Sequence, residues 1–100
     1  MEFRITPALF EYMKKKRKMN ISVEVASSDH SDFEVTEIYL RLVSDRFAEY
    51  LTGKKRYVAK QSEAGLILLP PYRLDYDNVI TFSLKKVLFF HILKQEGIRL

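Results

Sequence analysis

Asp29, His30 and Asp32 form the one cluster of metal-ligand residue types in the sequence. Two carboxylates and an imidazole in one short segment suit a hard divalent cation. Ser27 and Ser28 stand just ahead of His30, and a hydroxyl beside an imidazole is the pairing of a nucleophile with its base. Residues this close in one loop rarely align for attack, and no oxyanion-hole motif accompanies them. The same residues make an ordinary solvated loop in which aspartates cap local amides. No second dense cluster of His, Asp and Glu completes a metal site. Ser27, Ser28, Asp29, His30 and Asp32 are therefore a candidate ligand loop without an assigned cofactor, and no constellation commits the chain to an enzymatic role.

A second chemistry is electrostatic. Lys14, Lys15, Lys16, Arg17 and Lys18 are adjacent cations that would release counterions on meeting phosphates. They serve equally as a solvated helix end that interacts with its own dipole. Lys54, Lys55 and Arg56 form another basic block, with Tyr50 and Tyr57 near enough in sequence to stack bases. No helix-turn-helix, RNA-recognition or KH signature supports more than phosphate contact. The three glycines, Gly53, Gly65 and Gly97, are too far apart for a phosphate-binding loop. His91, between Phe90 and Ile92, reads as a residue at the core edge. Tyr72, Asp75, Tyr76 and Asp77 surround a double proline and read as turn residues with packed rings, or as a pocket rim.

Charge alternates along the chain. Residues 1–18 carry +4, 19–52 carry −5, 53–60 carry +4, 61–84 carry −2 and 85–100 carry +3, giving the net +4. A nucleic-acid binder more often shows one continuous basic face. The chain has no cysteine. That excludes disulfides, a thiolate zinc site and a cysteine-ligated iron–sulfur cluster, and the expected location is cytoplasmic. Residues 1–20 lack the apolar run of a secretory leader. Val87 to Phe90, the longest apolar run near the end, is far too short to span a bilayer, so no membrane partner is expected. One hundred residues, 47% of them hydrophobic, suit a single domain over residues 1–100 with one core.

The elements that would position these groups follow from periodicity. Thr6-Pro7 marks a helix start, with Leu9, Phe10 and Met13 as its apolar stripe and Asn20 as its exit. Ile21, Val23 and Val25 alternate with polar residues as a half-buried strand. Residues 26–33 read as a polar loop. Over 35–43, Ile38, Leu40 and Leu42 face one way and Tyr39 and Arg41 the other, which favours a strand over a competing helix through 35–51. A short helical turn, Asp45 to Leu51, is ended by Gly53. Lys55 to Ala59 and Leu66 to Leu69 are short strands, and Ile80, Phe82 and Leu84 mark another. Lys85 to Gln95 reads as a closing helix with Gly97 near its C-cap, or as an extension of that strand. The order is α+β.

Ile5-Thr6-Pro7, the lysine-rich helix end, the Ile21–Val25 strand, Ile80 to Leu84 and Leu88 to Phe90 together resemble the HesB-like proteins. The pattern is most similar to their small offshoot with a double-cysteine or cysteine–selenocysteine motif. The resemblance implies a small, partly barrel-like β-sheet domain with an N-terminal and a C-terminal helix. It also implies a reactive pair just after the first strand, where this chain has Ser27 and Ser28. A hydroxyl is not ionised at neutral pH and is a poor ligand for a soft metal. The expectation is a small non-catalytic binding or assembly protein on a HesB-like scaffold without iron–sulfur ligands. Its expected partner is another protein or a second copy in a homodimer, and weak nucleic-acid binding through the basic blocks is the alternative.

Overall fold

The structure, a computed structural model, describes residues 1–30 and 33–100, with side chains described outside 27–36. Chain order is β1 (Glu2–Ile5), α1 (Pro7–Lys16), β2 (Asn20–His30), β3 (Phe33–Val43), α2 (Asp45–Lys54), β4 (Val58–Gln61), β5 (Leu66–Leu69), β6 (Asp75–Val87) and β7 (Phe90–Arg99). The strands form a three-stranded sheet ordered β1-β6-β7 and a four-stranded sheet ordered β3-β2-β5-β4. Both are mixed. β1 runs parallel to β6, β2 runs parallel to β5, and the other pairs are antiparallel.

Thr6 caps α1 as its sequence position suggests. Its hydroxyl accepts from the Leu9 amide at 3.4 Å, and Pro7 occupies the first turn. The helix leaves through Arg17 in a left-handed conformation, with φ 57°. Asn20, expected at that exit, is instead the first residue of β2 and is buried.

The four-stranded sheet carries a core on each face. Ile21 and Val23 join Leu9 and Met13 of α1, Ile67 and Leu69 of β5, and Ile80 and Phe82 of β6 in the larger core between the sheets. On the opposite face of the four-stranded sheet, Val43 and Leu68 pack under Ala48 and Leu51 of α2. The expected division of β3 is present, because Ile38, Leu40 and Leu42 pack toward the larger core. Helices α1 and α2 thus lie on opposite faces of this sheet.

Three expectations need correction. No sheet closes into a barrel or curls strongly. The neighbouring edges β3 and β7 carry no ladder between them, so two open sheets stand face to face. No helix ends the chain either. Lys85 to Val87 continue β6, and Phe90 onward returns as β7, pairing Leu84 with Leu93 and Lys86 with His91. Val87, Phe90 and Ile92 are β-branched or aromatic residues that suit a pleated surface, and Leu84 and Leu93 bury together only if the chain turns back. Gly97 lies in β7 rather than at a helix end. The segment read as a polar loop over 26–33 is strand up to His30 and again from Phe33. Small polar residues favour turns but do not forbid an antiparallel ladder, so composition alone does not separate the two.

Gly97 has φ 118°, and a Cβ there would lie 2.8 Å from the Val79 carbonyl oxygen. It sits where pairing jumps from Tyr76–Ile98 to Thr81–Glu96. The Gln95 side chain bridges this break by donating to the Ile98 carbonyl and accepting from the Ile98 amide, both at 2.9 Å.

Candidate functional site

A hollow lies between the two unladdered edges. It is a groove of about 950 Å³ with β3 from Ile38 to Leu42 on one wall and β7 from His91 to Gln95 on the other. Tyr12, Lys16 and Lys18 close one end. Each wall is the outermost strand of its sheet, so its outward backbone groups have no strand partner among the described residues. The helix register puts Tyr12 and Lys16 one turn apart, and the Lys16 ammonium lies over the Tyr12 ring, 5.5 Å from its centroid. Tyr12 also stacks on His91, with ring centroids 4.8 Å apart and planes tilted by 32°. Lys94 and Gln95 face the same hollow, and Leu40, Leu42 and Leu93 supply apolar surface. Lys16, Lys18 and Lys94 make the lining cationic, with no carboxylate among the described lining residues. The groove thus combines the outward amides and carbonyls of two strand edges, cationic side chains and an apolar floor.

A smaller hollow of about 460 Å³ lies on the α2 side of the four-stranded sheet. Ser22, fully buried, donates its hydroxyl to Glu24 at 3.0 Å. Arg41, across the ladder, grips the same carboxylate through Nε and through Nη2, the latter at 3.1 Å, and its guanidinium lies 5.0 Å from the Phe47 ring centroid. The Glu24 hydrogen bond holds the Arg41 pKa above its ordinary value. Burial, reinforced by the Glu24 charge, pushes the Tyr57 hydroxyl up. Tyr50, Lys55 and Tyr72 complete the rim. Every carboxylate oxygen here is engaged, so the arrangement is an ion pair that ties β2 to β3 rather than an exposed acid or base.

Of the candidate ligand loop, Ser27, Ser28, Asp29 and His30 lie on β2, with backbones paired to Thr36, Val35, Glu34 and Phe33. Their side chains, and Asp32 entirely, lie outside the described residues. Lys14 to Lys18 are exposed at the end of α1, where Lys14 pairs with Glu11 at 3.0 Å. Lys54, Lys55 and Arg56 lie at the end of α2 on the opposite face of the four-stranded sheet, so the fold does not bring the two basic blocks together. Lys55 does meet Tyr50 and Tyr57 in the smaller hollow. His91 is exposed and stacked rather than set at the core edge, and Asp77 pairs with Arg99 at 2.8 Å. Sequence reasoning missed the groove because its walls, near residues 40 and 93, join only in the tertiary fold. The alternation of Ile38, Leu40 and Leu42 marked one wall, while reading 85–95 as a helix hid the other.

Among the described residues, no group of three His, Cys, Asp or Glu side chains is placed to hold a metal ion. No protein-family model matches the sequence, and no curated protein sequence matches it. Solved structures do match in shape. IscA, crystallised with its 2Fe–2S cluster, superposes over 95% of this chain and 84% of its own, with a TM-score of 0.58 at 13% identity. SufA of Escherichia coli, involved in biosynthesis of iron–sulfur clusters, superposes over 96% of this chain and 80% of its own, with a TM-score of 0.50 at 10% identity. A cluster of that kind does not fit the residues here, since the chain has no thiolate to offer. The chain therefore shares the fold of IscA and SufA, the HesB-like fold, in a form without cysteines.

Proposed function

We propose that this protein is a non-catalytic binding or assembly protein that seats an extended acidic segment of a protein partner in the groove between β3 and β7. The observation that carries this reading is the coincidence of two open strand edges with a lining of Lys16, Lys18 and Lys94 and no carboxylate among the described lining residues. An added strand gains backbone hydrogen bonds from either edge, and charge complementarity sets its direction and speeds its arrival. The scaffold is used without a cluster, because the chain has no cysteine to hold one. Within this reading the protein acts in the cytoplasm.

Two experiments test it. Reconstitution with iron and sulfide should give no cluster absorbance after desalting, and a stable cluster would remove the non-carrier half of the proposal. Titration with an acidic peptide should show saturable binding that weakens with salt. Lys16→Glu/Lys94→Glu should weaken it by about tenfold or more, in line with loss of two close charge contacts.

A second reading is favoured by one observation. Tyr50, Tyr57, Tyr72 and Lys55 share the smaller hollow, which gives rings and a cation to a single-stranded nucleic acid. A gel-shift titration at two salt concentrations discriminates, because this reading requires binding at low salt that Tyr50→Ala/Tyr72→Ala abolishes.

A further inference from the structure

The tip of the β6–β7 hairpin exposes what a folded chain ordinarily hides. Leu88 is 80% exposed, Phe89 93% and Phe90 70%. Val87 and Ile92 continue this apolar surface along one face of the hairpin, since Val87 pairs with Phe90 and Lys85 with Ile92. Val87 and Phe90 are directly paired, so the loop is only Leu88 and Phe89. Leu88 adopts φ 54° there. Two-residue loops with a positive φ at the first position favour glycine, and a leucine in that conformation is strained. The sequence thus holds bulky apolar side chains at a turn that small residues would form more easily.

The surroundings of the tip are basic. Residues 85–95 contain Lys85, Lys86 and Lys94 and no acid. The stacking of Tyr12 on His91 sets the end of α1, with Lys14 to Lys18, beside the base of the hairpin. Tip-to-tip pairing of two copies would press these cations together. A convex apolar tip with a cationic collar complements a surface that is apolar inside and anionic outside.

We propose that the Leu88–Phe90 tip inserts into the interfacial layer of a bilayer containing anionic lipid, while the neighbouring lysines contact headgroup phosphates. No helix among the described residues is long and apolar enough to cross a membrane, and interfacial insertion of a hairpin tip requires none. This binding is reversible, because it rests on a few side chains and a screened charge attraction.

The test is co-sedimentation of the full chain with vesicles of phosphatidylcholine alone and of phosphatidylcholine mixed with phosphatidylserine. Binding is expected to the mixed vesicles only, and to weaken as salt rises. Leu88→Gly/Phe89→Asn supplies residues suited to the turn, so it should fold at least as stably as the parent while losing binding by about tenfold or more. In Phe89→Trp, indole emission should shift to the blue on adding the mixed vesicles. Three results would overturn the proposal. One is failure of the parent chain to sediment with mixed vesicles. Another is undiminished binding by Leu88→Gly/Phe89→Asn, which leaves surface charge as the whole attraction. The third is a dimer of the parent that the same substitutions return to monomer without any vesicle present, which assigns the tip to a second copy.

Discussion

Asn20 shows how much one polar side chain can tie together. Its amide nitrogen donates to the Val43 carbonyl at 3.4 Å and to Asp45 Oδ1 at 2.8 Å, and its oxygen accepts from the Leu66 amide at 3.0 Å. It is 3% exposed, so water cannot replace these partners. Asn20→Ala should cost about 2–3 kcal/mol, read as a lower urea midpoint at unchanged slope. Arg41→Ala should cost about 2 kcal/mol in the same assay, because it leaves the largely buried Glu24 carboxylate without its cation. Replacing both Glu24 and Arg41 by leucine should cost less than Arg41→Ala alone, since no unpaired charge remains. Tyr57 carries a pH dependence. Burial raises its folded-state pKa, so its contribution is fully present below the ordinary tyrosine value of about 10 and is lost as pH rises through the raised one. Unfolding titrations above about pH 10 should show a falling stability that Tyr57→Phe makes shallower, with Tyr76, shifted the same way by burial, retaining part of the slope.

At the scale of elements, close backbone approach makes two glycines irreplaceable. A Cβ on Gly65 would lie 2.0 Å from the Met19 carbonyl oxygen, and one on Gly97 would meet Val79 at a left-handed φ. Gly65→Ala and Gly97→Ala should each lower the melting temperature by several degrees, while Gly53→Ala, with open space around it, should be neutral or stabilising. Gly53 also illustrates what the sequence does not reveal. Read as the end of a helical turn, it lies inside α2, which runs on to Lys54 because Leu51 and Ala48 are anchored against Val43 and Leu68. Elements with a local signature were legible, as with the Thr6-Pro7 start of α1, the alternation of β3 and the Leu66–Leu69 strand. Elements fixed by a distant partner were not. β1 exists because Glu2 to Ile5 pair with Val79 to Phe82 far along the chain, and β7 exists because β6 folds back on itself.

At the scale of the molecule, two open sheets enclose the larger core, and their free edges leave a cationic groove. The candidate site was only partly legible for this reason. Lys16 and Lys18 stood out as part of a basic run, but Tyr12, Leu40 and Lys94 acquire a shared role only when β3 and β7 are set edge to edge. The absence of cysteine excluded thiolate chemistry from the start, and it holds in a chain that shares the fold of IscA and SufA. The most direct measurement of the proposed role is amide chemical-shift mapping of the full chain titrated with an extended acidic peptide. The account predicts saturable shifts confined to Ile38–Leu42, His91–Gln95 and the end of α1, all lost in Lys16→Glu/Lys94→Glu. Shifts centred instead on Tyr50, Tyr57 and Tyr72, or no saturable shifts at low salt, would contradict it.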